Sequence, residues 1–272
     1  MGNVSPNRRG LAFFLAAMLF AGSANPAFAW GRYGHRASAK LAESRLTPAA
    51  RAAIREILEP GESLADASTY ADEHSREIPG SGAWHFVNVP LFAEGYEDRD
   101  CHGNCVVSRY EEFRKVLTDR NAPLPRRRMA LRYVIHLLQD LHQPLHVGDN
   151  RDRGGNAVQI TYYRDDRTNL HQLWDSGLFR NRFRHENQLL DEIERLADRP
   201  EAKNWHAGTI IDWTNESLAV ARTAYKVPKT DDLVRQGMRL GRDYEVVNLP
   251  LATKRVAQSG VRLADVLNSI FK

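Results

Sequence analysis

The chain has 272 residues, of which 42% are hydrophobic and 26% are charged, with 18 Gly, 12 Pro and 2 Cys. This composition is that of an ordinary globular protein and excludes a collagen-like, disordered or disulfide-dense chain. The longest apolar run, 11–21, is much shorter than the roughly 20 residues that span a bilayer, so a membrane-spanning protein is excluded, apart from the role of that first segment. The net charge of +4 is too small to indicate a nucleic-acid-binding protein by itself.

The first 29 residues (1–29) have the three parts of a secretory signal. An Arg-Arg pair at 8–9 precedes the apolar segment 11–21, and an A-x-A cleavage motif occupies 27–29. The alternative is a buried N-terminal helix, but the order of charged, apolar and small residues fits export. We therefore expect a secreted or periplasmic protein whose mature chain begins at Trp30.

Most of the remaining sequence has helical spacing. Thr47 and Pro48 suit a helix N-cap and first turn, and apolar residues follow at helical intervals. The clearest strand is 157–164, with a turn-like segment, 164–169, at its end. No repeat or linker divides the chain, so we predict a mainly α fold: a single compact helical domain with a small β-hairpin or short strands. The predicted helices are 47–58, Val106–Leu117, 126–143, Leu189–Leu196, Asn204–Tyr225 and Tyr244–Phe271.

The two cysteines, Cys101 and Cys105, enclose only three residues. In an oxidising compartment they could form a disulfide bond. The alternative is a metal pair with His102, but no second cysteine pair exists to complete such a site. We favour a small disulfide loop, which adds little stability because it restricts only a short stretch of the unfolded chain.

The segment IHLLQDLHQPLH, 135–146, has the strongest chemical pattern. His136 and Asp140 are four residues apart, so they share one face of a helix and direct an imidazole and a carboxylate to one point. Pro144 ends that helix, and His146 follows it closely enough to turn toward a neighbouring position. His142 is expected to orient a neighbour through a hydrogen bond rather than to bind metal.

A second pair, His171 and Asp175 in NLHQLWD, repeats the same spacing. One such pair alone is more often a contact on a helix surface. Two pairs in apolar surroundings, where unpaired polar groups are costly, favour metal ligation. The combination of imidazole nitrogen and carboxylate oxygen is typical of zinc sites.

Four motifs resemble the S1/P1 nuclease family of exported, zinc-dependent, single-strand nucleases. They are WGRYGH (30–35), HLLQDLHQPLH (136–146), DRGGN (152–156) and NLHQLWD (169–175). The matched motifs run from Trp30 to Asp175, and the C-terminal third agrees only in helical character. The resemblance implies the fold shared by phospholipase C and P1 nuclease, with residues 30–272 as the catalytic domain.

The family pattern also implies three zinc ions. Asp72 in YADEH and His85 in WHFVN join the ligand set by this resemblance. The implied ligands of the first ion are Asp72, His85, His136 and Asp140. Those of the second, close to the first, are the amino group and carbonyl of Trp30, His35 and the other oxygen of Asp140. Those of the third are His146, His171 and Asp175.

Trp30 can be interpreted in two ways. A tryptophan at this position could simply be part of the core. The resemblance instead makes its α-amino group a ligand, which exists only after the preceding residues are removed.

The family resemblance also implies catalytic and substrate-binding residues. Asp72, Asp140 and Asn88 are the catalytic candidates. Many family members have Asp in place of Asn88, and because Asn cannot act as a base, we expect it to form hydrogen bonds. In DRGGN, Gly155 and Asn156 are candidates for nucleobase binding, although a glycine turn before the strand is an equal alternative.

The predicted activity is hydrolysis of single-stranded DNA and RNA to 5′-phosphate products, with possible 3′-nucleotidase activity on nucleotides. We expect a monomer without an obligate protein partner. One alternative is zinc-dependent phospholipase C acting on phosphatidylcholine-type lipids, but its final ligand pair is usually His-x-x-x-Glu rather than His171 and Asp175. The other is an exported zinc-storing protein. Arg126–Arg128 could follow a phosphate backbone, but a solvated helix start is the alternative, so we assign it no site.

Overall fold

The computed structural model describes residues 1–2 and 30–272, and the predicted signal features at 8–29 lie outside the described residues. The α-helices, numbered in chain order, are α1 (Arg32–Ser44), α2 (Pro48–Ile57), α3 (Leu64–Ala67), α4 (Tyr70–Glu73), α5 (Asp98–Cys101), α6 (Val106–Thr118), α7 (Leu124–Leu141), α8 (Leu170–Gln172), α9 (Leu178–Arg182), α10 (Glu186–Ala197), α11 (Ile210–Ala224) and α12 (Arg242–Ile270). The strands are β1 (Val89–Pro90), β2 (Gly148–Asp149), β3 (Gln159–Tyr162), β4 (Asp166–Asn169) and β5 (Arg239–Leu240). The predicted mainly α fold is confirmed.

The predicted helix Asn204–Tyr225 is confirmed from Ile210 to Ala224, but its first residues belong to a separate element. Pro200–His206 forms a 3₁₀ helix, and α11 begins only at Ile210. Gly208 between them has φ +106°, a left-handed conformation that glycine adopts readily. Thr209 then starts a new helix through a reciprocal capping box with Asp212, which satisfies amide groups that a continuous helix would not leave free.

The segment predicted as a turn, 164–169, is wrong over most of its length. Its last four residues form β4, which pairs antiparallel with β3 so that Gln159 lies opposite Asn169 and Tyr162 opposite Asp166. Tyr163 has φ +53° and lies where the chain reverses. β5 adds to the other edge of β3 in a parallel orientation, giving a small three-stranded sheet.

Helix α7 is at the centre of the fold. It is buried on every side from Tyr133 to Leu141, and it packs against α6, α4, α3 and α12. A helix buried all round cannot leave its polar side chains in water. The polar residues on this stretch of α7 must therefore find partners inside the protein.

The short strands β1 and β2 pair in parallel and join two distant segments. The amide of Val87 donates to the carbonyl of His146 at 2.8 Å, and Val89 donates to Val147 at 2.9 Å. This pairing places the segment that follows His85 beside the segment that follows α7.

The predicted disulfide between Cys101 and Cys105 is confirmed. Cys101 ends α5 and Cys105 immediately precedes α6, so the bond closes the turn between the two helices. His102 and Gly103 between them both have positive φ, which allows the tight reversal. Within the described part of the chain, no helix is both long enough and apolar enough to cross a membrane.

Two arginines of α12 are buried against one carboxylate of α11. Arg262 contacts Glu216 through two nitrogens at 2.6 and 2.8 Å, and Arg255 contacts it at 2.7 Å. Arg262 also donates to Nε2 of His142, whose Nδ1 contacts the carbonyl of Leu138. His142 therefore connects the end of α7 to α12.

We expect Glu216→Gln to lower the free energy of unfolding at pH 7 by about 2 kcal/mol. This is less than the loss of a fully buried partner, because the Glu216 side chain is 41% exposed. Although burial raises the pKa of Glu216, Arg262 and Arg255 lower it below its ordinary value. The stabilisation should therefore be complete above the unfolded pKa of about 4.3 and be lost as the pH falls through the lower folded pKa.

Urea unfolding at pH 7 and at pH 3 measures this difference. Glu201→Gln is the matched control, since Glu201 is exposed at a surface cavity that Glu216 and Arg262 also line. Equal midpoints for the Glu216 and Glu201 variants at pH 7 would contradict the expected role of the buried arginines.

Candidate metal centre

Two groups of buried imidazoles and carboxylates lie near the end of α7. We call the first the paired group: His35, Asp72, His85, His136 and Asp140. We call the second the separate group: His146, His171 and Asp175. The structure thus brings together eight side chains from segments that are up to 140 positions apart in the sequence.

The two oxygens of Asp140 face different histidines of the paired group. Oδ2 lies 2.9 Å from Nδ1 of His85 and 3.2 Å from Nε2 of His136. Oδ1 lies 3.3 Å from Nε2 of His35. Asp72 completes the His85 and His136 side, with Oδ1 at 3.4 Å from Nε2 of His136. A carboxylate placed in this way can bridge two adjacent cations.

The space between the facing atoms of His35 and Asp140 suits a cation. Both His35 Nε2 and Asp140 Oδ1 are buried, and neither has a hydrogen-bond partner among the described residues. Because the other ring nitrogen of His35 contacts the side-chain oxygen of Gln139, neutral His35 presents a lone pair at Nε2. Two lone pairs that face each other in a dry interior are costly unless a cation lies between them.

The separate group repeats this arrangement. The Nε2 atoms of His146 and His171 lie 3.1 Å apart. Each Nδ1 contacts a backbone carbonyl at 2.7 Å, of His85 and Gly154 respectively. Both facing nitrogens of the neutral rings are therefore acceptors, and Asp175 Oδ2 lies 3.6 Å from Nε2 of His171.

Burial and charge act differently on the two groups. In the paired group, burial lowers the pKa of His136, but Asp140 and Asp72 raise it well above its ordinary value. In the separate group, burial lowers the pKa of His171 to about 3. Burial also raises the pKa of Asp175 well above its ordinary value, and the hydrogen bond from Gln143 only partly opposes this.

A divalent cation suits the donor set of the separate group. Its charge favours the ionised carboxylate of Asp175, while the two neutral imidazoles are already the form that ligates metal. Nitrogen and oxygen donors of this kind fit zinc.

A cavity of about 240 Å³ opens onto both groups. Phe86 lies at this cavity with 38% of its surface exposed. Asn88, a predicted catalytic residue, is exposed at the same cavity. The other lining residues are Asp72, Ser75, Gly82, His85, Leu145, His146, Arg153, Asn156 and His171.

The DRGGN segment contacts His171 and also lines part of the cavity. Asn156 lines the cavity and donates from Nδ2 to the carbonyl of Arg153 at 3.0 Å. Gly155, with φ +82°, is buried and is not among the lining residues. A Cβ atom on Gly154 would lie 2.2 Å from the carbonyl oxygen of Leu145. Only glycine therefore allows the backbone here to pass so close to Leu145, and its carbonyl oxygen accepts the hydrogen of Nδ1 of His171.

Trp30 packs beside the first turn of α1. Its indole is fully buried at a ring-centroid distance of 5.5 Å from Phe179. A Cβ atom on Gly34 would lie 2.7 Å from Cβ of Trp30, and one on Gly31 would lie 2.2 Å from Oγ of Ser176. The glycines of WGRYGH therefore allow this close packing. The indole is part of the core, and the amino group remains a proposed ligand.

Three contributors to the site were not found by the sequence analysis. Gln139 contacts His35 of the paired group, Gln143 contacts Asp175 of the separate group, and Phe86 lines the cavity. Gln139 lies on the buried stretch of α7, where a polar side chain needs a partner, and this was a usable signal. The Arg126–Arg128 run begins about 21 Å along α7 from Asp140, and Arg128 donates to the carbonyl of Ile57.

Known proteins are similar to this chain over most of its length. A family model described as S1/P1 Nuclease matches residues 30–272. Endonuclease 4 of Arabidopsis thaliana is 30% identical over 281 residues, covering 91% of this chain and 91% of that protein. Nuclease P1 of Penicillium citrinum is 26% identical over 271 residues, covering 89% of this chain and 97% of that protein. As the motifs predicted, the chain belongs to the S1/P1 nuclease family of metal-dependent hydrolases.

Proposed function

We propose that this nuclease is an exported, zinc-dependent phosphodiesterase that binds three zinc ions and cleaves single-stranded DNA and RNA to 5′-phosphate products. A 3′-nucleotidase activity belongs to the same proposal. The observation that carries it is the cavity that exposes members of both the paired and the separate group to one substrate-sized space. The disulfide bond suits an oxidising compartment and so supports export.

The chain's own residues supply binding and orientation in this proposal. Bound zinc would act as a Lewis acid on the phosphate ester and lower the pKa of water. Asp72, Asp140 and the histidines would hold the metal ions in place inside a protein interior of low polarity, where electrostatic interactions are strong. Asn88 and Asn156 offer amide groups at the cavity for hydrogen bonds to substrate.

Phe86 supports a preference for single strands. An exposed ring beside the metal groups can stack on a base, but a base inside a duplex is already stacked on its neighbours. The three protein ligands of the separate group leave coordination positions for substrate or water, unlike a closed storage site.

The experiment that tests this function uses the chain that begins at Trp30. It is incubated with single-stranded DNA, RNA, duplex DNA or phosphatidylcholine vesicles, with and without a chelator. We expect cleavage of the single strands, 5′-phosphate ends by mass spectrometry, and loss of activity on chelation. Cleavage that resists the chelator, or phosphocholine as the sole product, would overturn the proposal.

Replacing Phe86 by Ala should raise KM for single-stranded DNA roughly tenfold, since stacking on one base contributes about 1–3 kcal/mol. The effect on kcat should be small because the ring is not a member of either metal group. Phe92→Ala is the matched control, because Phe92 is 67% exposed and does not line the cavity. Steady-state kinetics on one oligonucleotide gives both constants; a similar KM for the two variants would argue against stacking at Phe86.

A further inference from the structure

The histidines of the metal groups share one way of fixing the ring. All five place Nδ1 against an oxygen atom. In His85 that oxygen is Oδ2 of Asp140, which belongs to the same group, whereas the other four rings leave Nε2 to face the neighbouring ligands. In three of these the oxygen is a backbone carbonyl: Ser68 for His136, His85 for His146 and Gly154 for His171, each at 2.7 Å. A backbone carbonyl is available whatever the side chain, so these three rings are held by the fold itself.

His35 is the exception, because a side chain holds it. Nδ1 of His35 lies 2.6 Å from Oε1 of Gln139. The amide nitrogen of the same glutamine donates to the backbone carbonyl of His35 at 3.1 Å. Gln139 thus contacts one residue with both ends of its amide, and it is fully buried while doing so.

This double contact determines which ring nitrogen of His35 carries the proton. Because the amide nitrogen is committed to a carbonyl, the amide oxygen must be the atom that faces Nδ1. Nδ1 therefore carries the hydrogen, and the lone pair of the neutral ring is at Nε2, 3.3 Å from Oδ1 of Asp140. Gln139 precedes Asp140 in α7, so one short segment holds both sides of this contact.

We propose that Gln139 is a positioning residue of the paired group, and that it sets the affinity of the zinc ion shared by His35 and Asp140. It does so by fixing the tautomer of His35 and by tying the first turns of α1 to α7. The inference rests on the proposed zinc binding. It concerns one ion, because the separate group has its own glutamine contact, from Gln143 Nε2 to Asp175 Oδ1 at 2.6 Å.

A glutamine that only fills space would behave differently from one that holds a ring. Gln139→Met keeps nearly the same length and suits a buried position, but it removes both hydrogen bonds. Gln139→Glu keeps an oxygen that accepts from Nδ1 of His35, but it buries an additional charge. If the role is packing alone, Met is tolerated and Glu is damaging. If the role is positioning, Gln139→Glu binds zinc more tightly than Gln139→Met does.

The experiment measures zinc stoichiometry and the weakest zinc Kd by competition with a chromophoric chelator, for the chain beginning at Trp30. We expect three zinc ions in the unmodified protein. In Gln139→Met, the affinity for one ion should fall roughly 10- to 100-fold, as is typical when the partner of a ligating histidine is lost. Gln139→Glu should lie between the two proteins.

Gln258→Met is the matched control. Gln258 is also buried, and it contacts Arg255 on α12 instead of either metal group. It should leave all three zinc affinities unchanged, and thermal unfolding of the metal-free proteins measures folding separately from metal binding.

Three results would overturn the inference: unchanged zinc affinity in Gln139→Met, weaker binding in Gln139→Glu than in Gln139→Met, or an equal loss in Gln258→Met. An unmodified protein that binds no zinc would instead refute the proposed function and the inference together. The two failures are therefore distinguishable.

Discussion

Asp140→Asn should abolish nuclease activity, with a fall in kcat/KM of at least about a thousandfold. A Lewis-acid metal contributes several kcal/mol to such a reaction, and each 1.36 kcal/mol is a tenfold change in rate. The variant keeps the shape of the side chain but removes its charge and replaces one oxygen by a group that cannot ligate metal. Since the two oxygens of Asp140 face different histidines, both ions of the paired group should be lost.

Zinc stoichiometry by mass spectrometry and activity on a single-stranded oligonucleotide check this expectation together. We expect the ion of the separate group to remain bound, because its three side chains are not altered, but its affinity should change through the contact between His146 and His85. Asp198→Asn is the matched control, as Asp198 is 72% exposed and pairs with Arg45 on the surface. An Asp140→Asn protein that retains three zinc ions and the original rate would remove Asp140 from the ligand set.

A chain that retains Ala29 before Trp30 should lose one zinc ion and at least about 90% of its activity, in the range typical for disturbed metal sites. The extra residue converts the amino group of Trp30 into an amide, whose nitrogen lone pair is delocalised into the carbonyl and does not ligate. The buried indole should keep its place, because its packing on Phe179 does not involve the backbone nitrogen.

The comparison requires two preparations that differ by one residue, one beginning at Trp30 and one at Ala29. Zinc content and kcat/KM are measured on both. One extra residue after Lys272 gives a control for added length at the other terminus. Full zinc content and full rate in the Ala29 form would show that the amino group is not a ligand.

The sequence predicted those parts of the site whose chemistry is local. His136 with Asp140 and His171 with Asp175 are spaced by four residues, so the helical repeat alone places each pair on one face. The contact between Gln139 and His35 spans 104 positions, and no local pattern records it. It follows from the burial of the second half of α7 on all sides, which is a property of the whole fold.

The fold was predictable where apolar residues are large and regularly spaced. Helix α1 was not predicted, because Leu41 is the one large apolar residue on its buried face, and the others are small or polar, including Gly34, His35, Ala37 and Ser38. The break before α11 depends on the backbone at Gly208 and on the cap formed by Thr209 and Asp212. A helical apolar pattern continues across that break, so spacing alone suggested one helix.

The hydrogen bond between the ring of His146 and the backbone of His85 has a thermodynamic consequence for metal loading. His85 belongs to the paired group, and its carbonyl oxygen accepts the hydrogen of Nδ1 of His146, a member of the separate group. A shift of the backbone at His85 therefore changes how His146 presents its lone pair. Binding at one group should alter the affinity at the other, and by linkage the effect must be equal in both directions. We expect zinc uptake by the two groups to be cooperative.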